Sequence, residues 1–423
     1  MKNVTQILET TKAIFSKIEF KVDAREKVSM RDFFMTLFSS ILTAQPSGGN
    51  LSINGLRQKM TSILGQTFSR SGFWKKLASN KLLNILETVM KSLMQDLIPS
   101  SDANTQLMRL IGVSDILIAD STTSSLPQKA CNSLPGTNDN SASIKLHAIL
   151  SLLKGNLAWV KASAGIDHDY KHFPMELIKT MSGTLLLADL GYYCTNLFNQ
   201  LNAYKVFFLF RVKSNANVKV TQALLGVSKK QEGKLISSLT HKRGDVIALE
   251  GIMEGLLSPA TFVGFWDIEE KKYHWYITNL QCELSLLHNV YRLRWQIELL
   301  FKGLKTHMSF DEIPSANINI IKVLFYIRII SSFLGMALTR VSIKDNYPKN
   351  VGKSETLLRR FRVFCLISDD VYLYIKNQET HKDSYFLSVI IKKIKTLKSE
   401  LLEPNRRKRS NALSSVKPFT QAA

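Results

Sequence analysis

The chain has 423 residues, 45% hydrophobic and 21% charged, more than one core usually serves, so about two to four modules are expected and wholesale disorder is excluded. Its 56 lysines and arginines against 34 acids leave a formal charge of +22, which favours a polyanion and puts nucleic acid ahead of a basic but unspecialised protein. Four scattered cysteines without a Cys-x-x-Cys pair suggest neither a zinc knuckle nor a disulfide framework and fit a reducing cytoplasm.

The amino-terminal twenty residues alternate polar and apolar positions at helical spacing, with no uninterrupted apolar core of an export signal. Residues 1–112 read as a helical domain: VSMRDFFMTLFSSILTA, LSINGLRQKMTSILG and KLLNILETVMKSLMQDLI all carry apolar residues three and four apart. Between them, Ser69, Arg70, Lys75 and Lys76 surround Phe73 and Trp74, which suits a DNA-contacting helix as well as a solvated helix end with two core aromatics.

At residue 113 the texture changes. SDILIADSTT is a short apolar run that ends in an acid and a polar turn, as a buried strand does. SIKLHAILSLL and NLAWVKASAG flank Lys154 and Gly155 as a hairpin, GTLLLADLGYY repeats the apolar strand ending in aspartate, and YKVFFLFRVKS is a further strand. Helical stretches at 174–181 and 192–202 lie between them. This order predicts an α/β domain over 113–213, a mixed sheet with flanking helices.

Over 214–285 the runs GDVIALEGIM, PATFVGFWDI and KKYHWYITNL predict a β-rich insertion. The α/β part resumes over 286–342 with helices at 285–306 and 318–339. The second holds the longest apolar run but contains Lys322 and Arg328, so a buried helix is expected rather than a membrane span. Residues 343–423 carry 17 basic and 8 acidic residues, a helical region with a flexible tail around Arg406–Arg409.

Chemistry concentrates in YRLRWQIELLFKGLK. On one helix advancing about 100° per residue, Arg294, Glu298 and Lys305 fall within about 60° of Tyr291, so the four share a narrow face. A salt-bridged surface would explain such a stripe. It does not explain Asp120 and Asp189 at two strand ends, which adjacent strands would bring together and a crossing helix would complete with Glu298. Three converging acids repel unless a cation neutralises them. Oxygen-only donors suit Mg2+ or Mn2+, and two such ions about 3.5–4 Å apart serve phosphoryl transfer.

These residues resemble the DDE transposases of bacterial insertion sequences, and within them the IS-four family, whose signature Tyr-x2-Arg-x3-Glu-x6-Lys is matched by Tyr291, Arg294, Glu298 and Lys305. The likeness takes in IADSTT, LLLADLGYY, SIKLHAILSL and the β-rich insertion, over about residues 50–340. It implies a ribonuclease H-like catalytic domain in which Asp120, Asp189 and Glu298 bind two Mg2+ or Mn2+ ions. Metal-activated water would cut double-stranded DNA at the terminal inverted repeats, and the freed 3′ hydroxyl would join target DNA, through a hairpin in related enzymes.

The same likeness sets Tyr291, Arg294 and Lys305 on phosphates near the cut and implies a homodimer on DNA, nucleoid-associated in the cytoplasm and away from membranes. Trp295 is a candidate to stack on a displaced base, or else it packs in the core, and Trp266 and Trp275 are weighed the same way. Arg211 and Lys213 share a strand face as candidate phosphate contacts. Lys145 and His147 read as a DNA contact or a satisfied strand surface. Asp167 and Asp169, with His168 and His172, have metal-site spacing but lie on a turn, where solvated acids are common, and the family pattern gives them no role. A catalytically silent protein that binds transposon ends, and a nuclease without strand transfer, are the alternatives. Neither a Walker loop nor a Gly-x-Ser-x-Gly elbow is present.

Overall fold

Serine caps and apolar stripes set the first third of the chain. In this computed structural model the described residues are 4–18, 20, 27–42, 52–97, 105–213, 216–239, 246–267, 269–270, 272–311, 313–344, 357–377 and 382–397. Helices α1 (Val4–Ser16), α2 (Met30–Leu42), α3 (Ile53–Leu64), α4 (Arg70–Leu77), α5 (Asn80–Asp96) and α6 (Thr105–Ile111) precede the first strand. Ser52, Ser69 and Ser79 each accept the backbone N–H three residues on, starting α3, α4 and α5. Gly65 ends α3 in the left-handed region at φ 67°, where a side chain would be strained. On α4, Phe73 is buried and Trp74 exposed.

Strands β1 (Ile116–Leu126), β2 (Ala142–Ser151), β3 (Asn156–Ala164) and β4 (Leu185–Ala188) follow, then α7 (Thr195–Ala203) and β5 (Phe207–Arg211). The region of the expected insertion forms β6 (Lys219–Leu225), β7 (Ile247–Ile252), β8 (Ala260–Asp267) and β9 (Lys272–Thr278). All nine make one sheet in the order β3-β2-β1-β4-β5-β9-β8-β7-β6. β4 runs parallel to β1 and β5, and every other pairing is antiparallel. The antiparallel strands are therefore no separate sheet: Leu209–Arg211 pair with Thr278–Tyr276 and carry the main sheet onward. β6 was not visible in sequence because only Val220 of its seven residues is buried, leaving no two-residue alternation to read.

Successive residues in the buried strands serve opposite cores even where both faces are apolar. Ile116, Ile118, Leu185, Leu187 and Leu209 join the core under the long helices, whereas Leu117, Ala119, Leu186, Ala188, Phe208 and Phe210 join the one containing α7. At the start of β1, buried Asp115 accepts from Ser151 Oγ at 2.5 Å and from the Leu153 N–H at 2.9 Å. That acid ties β1 to the β2–β3 turn, and the strand expected to end at Asp120 instead runs on to Leu126 because β2 continues to pair with it.

After the sheet come α8 (Leu284–Arg292), α9 (Trp295–Met308), α10 (Ile318–Lys344), α11 (Leu357–Lys376) and α12 (Asp383–Thr396). The single helix expected over 285–306 is broken at Leu293 and Arg294. There the N–H groups of Leu293, Arg294, Gln296 and Ile297 bond carbonyls three residues back, a tighter winding than α, so a 100° count across the junction fails. α10 is long and apolar enough to cross a membrane, but 89% of that stretch is buried inside the protein. It packs against α5, α9 and α11. The Arg406–Arg409 tail lies outside the described residues.

Candidate active site

Register builds this site. Ala119 of β1 pairs with Ala188 of the parallel β4, and the next residue of each chain is an aspartate. Two-residue alternation turns Asp120 and Asp189 toward the face shared by Ile118 and Leu187, which α9 covers. On α9, Ile297, Leu300, Phe301, Leu304 and Met308 are buried at three and four spacing, each such side chain contributing about 1.5–3 kcal/mol. This face seats the helix on β1 and leaves Glu298, one residue past Ile297, at the rim of the sheet. Ser124 Oγ donates to the Phe310 carbonyl at 2.9 Å, fixing the far end of that packing.

Arg294, in the junction between α8 and α9, holds the acids apart. Its Nη1 donates to Asp120 Oδ2 at 2.9 Å and its Nη2 to Glu298 Oε1. Asp120 Oδ1 accepts the Ser121 N–H at 2.8 Å, and Asp189 Oδ1 accepts the Gly191 N–H at 2.7 Å. Burial, and then the Asp189 charge, push the Asp120 carboxyl up to about 7, against the pull of Ser121 and Arg294. Arg294 meets two of the three carboxylates while Asp189 adds its charge to Asp120, which leaves an excess of negative charge in a desolvated place. An all-oxygen donor set with that excess fits hard divalent cations.

Tyr291 donates from its phenol to the Ala188 carbonyl at 3.3 Å, one residue before Asp189. Burial drives its phenol well above the ordinary range, so it stays a neutral donor. Its ring meets Tyr276 edge-on at 4.8 Å. Lys305, one helical stretch beyond Glu298, is half-buried, and Trp295 is 59% exposed at the mouth of the site. The core-packing alternative for Trp295 is therefore excluded by its exposure.

Other candidates separate. Arg211 reaches His274 Nδ1 on β9, whereas Lys213, beyond the end of β5, lies 5.4 Å over the Tyr193 ring. The two cations thus do not present one face, because the strand ends at Arg211. Trp266 and Trp275, both half-buried, pack around Tyr273 in the β8–β9 hairpin, and Trp275 also lies against the core containing α7. Lys145 donates to the Asp167 carbonyl at 2.6 Å and His147 is wholly buried, so neither lies on a free strand surface. Asp167 pairs with His172 at 3.1 Å.

Asp169, by contrast, turns inward to Ser121 of β1. Sequence reasoning left it on a solvated turn; the signal that could have found it is the Lys145/His147 alternation on β2, which needs an acid opposite. Among the described residues, Asp267, Glu270 and His274 bring three donors within 4.8 Å of one another. Lys272 already meets Glu270 and Arg211 the His274 ring, whereas Arg294 meets Asp120 and Glu298 of the other three acids.

The Transposase DDE domain family matches residues 111–334, more than half of the chain. This chain belongs to that family. Relatives are insertion-sequence transposases: that of IS1151 from Clostridium perfringens is 20% identical over 66% of this chain and 67% of its own. That of IS231E from Bacillus thuringiensis subsp. finitimus is 24% identical over 84% and 81%, and that of IS231F from Bacillus thuringiensis subsp. israelensis is 23% identical over 84% and 80%. Family membership makes the protein a transposase of the DNA phosphoryl-transfer class, implies binding to transposon ends and implies divalent-metal use. The matched span covers Asp120, Asp189, Tyr291, Arg294, Glu298 and Lys305 together.

Proposed function

We propose that this transposase is of the IS-four type and moves its insertion sequence by cut-and-paste, with Asp120, Asp189 and Glu298 as the catalytic, metal-binding acids. The observation that carries the reading is Asp120 within β1 and Asp189 just past β4, each following the in-register Ala119–Ala188 pair, with Arg294 bonded to both Asp120 and Glu298. A three-stranded meander, β3-β2-β1, continued by parallel β4 and β5 supports a ribonuclease H-like catalytic domain. The division into a helical DNA-binding domain at 1–112, catalytic parts at 113–213 and 286–342, a β-rich part at 214–285 and a basic carboxyl-terminal region belongs to the same reading.

Two Mg2+ or Mn2+ ions, when bound, supply Lewis-acid stabilisation to the attacking and leaving oxygens of an in-line displacement. Asp120, Asp189 and Glu298 hold them. Arg294 neutralises two of these carboxylates beforehand and, with Lys305, offers a cation to the phosphates of the bound end. Tyr291 donates a proton-bearing hydroxyl without ionising. Water opens the phosphodiester at the element end, releasing a 3′ hydroxyl. That hydroxyl attacks a second phosphodiester, first across the end as a hairpin and, after reopening, in target DNA. Trp295, exposed beside Arg294, stacks on a base displaced by the hairpin, worth about 1–3 kcal/mol. Arg211 and Lys213 contact the DNA backbone on either side of β5. Two copies hold two ends as a homodimer, in the cytoplasm with the nucleoid.

Purified full-length protein with Mg2+ should nick and then join DNA carrying the element's terminal repeats. Glu298→Gln should retain end binding and lose cleavage; a variant that cuts as fast as wild type overturns the assignment. Cutting without joining would identify a nuclease on the same scaffold. End binding should weaken steeply with salt, because each phosphate contact releases counterions.

A further inference from the structure

One buried group beside the three acids is left without a role by the reaction just described. His147 is 0% exposed; its Nε2 contacts Ser163 Oγ at 2.8 Å, but its Nδ1, equally buried, has no hydrogen-bond partner. That nitrogen points at Asp169 Oδ1, 3.6 Å away. The same oxygen accepts from Ser121 Oγ at 2.8 Å and lies 3.2 Å from Lys145 Nζ. Two donors from β1 and β2, the Ser121 hydroxyl and the Lys145 ammonium, thus converge on one carboxylate oxygen that His147 Nδ1 also faces, delivered by the short turn Asp169–His172 after β3. His172 stacks on His147 at 4.8 Å and holds Asp167, bracing that turn.

The other oxygen of Asp169 faces the second catalytic turn. A Cβ placed on Gly191 would stand 2.5 Å from Asp169 Oδ2 and 3.0 Å from Asp189 Oδ1, so a side chain there would push the Asp169 carboxyl aside. Tyr192, next in the chain and buried, has its phenol driven far above the ordinary range by burial and by the charges of Asp169, Asp120 and Asp189. Asp169 therefore touches both acid-bearing turns. Ser121 gives its N–H to Asp120 and its hydroxyl to Asp169, while Gly191 gives its N–H to Asp189 and abuts Asp169.

We propose that Asp169 is a positioning residue of the catalytic centre, a fourth carboxylate that fixes Asp120 through Ser121 and Asp189 through the Gly191 turn for divalent-ion binding. This rests on the reading of Asp120, Asp189 and Glu298 as the metal-binding acids. Carboxylates that ligate a metal hold their aim through such hydrogen-bonded partners, whose loss weakens metal binding about 10–100-fold. Lys145 offsets the added charge, so the anchor does not compete with the acids for the ions.

The test is Mn2+ binding to the DNA-free full-length chain by titration calorimetry, with end cleavage followed against Mn2+ concentration. Asp169→Asn keeps the shape and removes the charge; Ser121→Ala cuts the link to Asp120 alone. Both should bind Mn2+ at least about tenfold more weakly and recover most of the cleavage rate at high Mn2+. A residue that only supports the fold would lower the melting temperature and leave Mn2+ affinity intact. Wild-type affinity in Asp169→Asn overturns the inference, and if that variant does not fold, wild-type affinity in Ser121→Ala does so. Glu298→Gln, run in parallel, separates the two readings: if it too binds Mn2+ and cuts like wild type, the assignment of the three acids has failed; if it alone is impaired, only the role of Asp169 has.

Discussion

The Asp120–Asp189–Glu298 group and the Asp267–Glu270–His274 group each gather carboxylates beside an arginine, yet their carboxyls are driven in opposite directions. Asp120 is desolvated and faces Asp189, which raises it to about 7. Asp267 sits on an exposed hairpin, where backbone N–H groups from Glu270 and Glu269 and the His274 ring lower it, and Lys272 lowers Glu270. Proximity of donor atoms is greater on the hairpin, but there Lys272 pairs with Glu270, and Asp267 is met by two backbone N–H groups and the His274 ring. At the other group one guanidinium meets two of three acids. The lesson is that a cation site is recognised by unbalanced, desolvated charge more than by how closely its atoms already stand.

Function should break along the same line. Asp120→Asn should cut end cleavage on the order of 10³-fold, the scale of losing a group that stabilises transition-state charge, while Asp267→Asn stays within about threefold. Comparable losses from both would erase the contrast. A gentler probe is pH. Because the folded Asp120 carboxyl lies near 7 rather than 3.8, a proton favours the metal-free fold: that contribution is present below about pH 4 and is lost as pH rises toward 7. Ion binding runs the other way, so Mn2+ affinity should climb up to about tenfold per unit between pH 5.5 and 7 and flatten above. A flat profile in calorimetry would say that Asp120 is already ionised.

Arg294→Gln sharpens the comparison further, since it removes the cation bonded to both Asp120 and Glu298. Mn2+ should then bind the DNA-free protein several-fold more tightly, up to about tenfold, although cleavage falls with the loss of a phosphate contact; weaker Mn2+ binding would mean the guanidinium orders the acids instead of competing for them. Smallest of all, Lys272→Ala on the exposed hairpin should leave the melting temperature and cleavage unchanged, as expected of a solvated pair.

Much of this was legible in the chain. ILIAD and LLLAD announce buried strands because an apolar run needs a sheet to cover it, although only β4 stops at its acid while β1 runs on to Leu126, and the α9 stripe from Ile297 to Met308 announces the helix that covers them. What stayed hidden depends on partners distant in sequence. Arg294 reads as one of four residues on a single helical face; only the tight junction at Leu293 lets its guanidinium lie across both Asp120 and Glu298. Asp169 reads as a solvated turn acid, since nothing local says that β2 will set Lys145 and His147 opposite it. β6, with a single buried residue, carries almost no pattern at all.

The parallel pairing of Ala119 with Ala188 constrains how these two strands can change length. Deleting one residue between Ile116 and Asp120 would leave an equally greasy segment, but it would swing the carboxylate through the sheet to the α7 side. Deleting two would restore the side and displace the acid along the strand by about 6.6 Å, out of step with its neighbour. Only matched, even-numbered insertions or deletions ahead of both aspartates keep them abreast, so the loops can drift freely while the runs preceding the two acids are locked together as one measured pair.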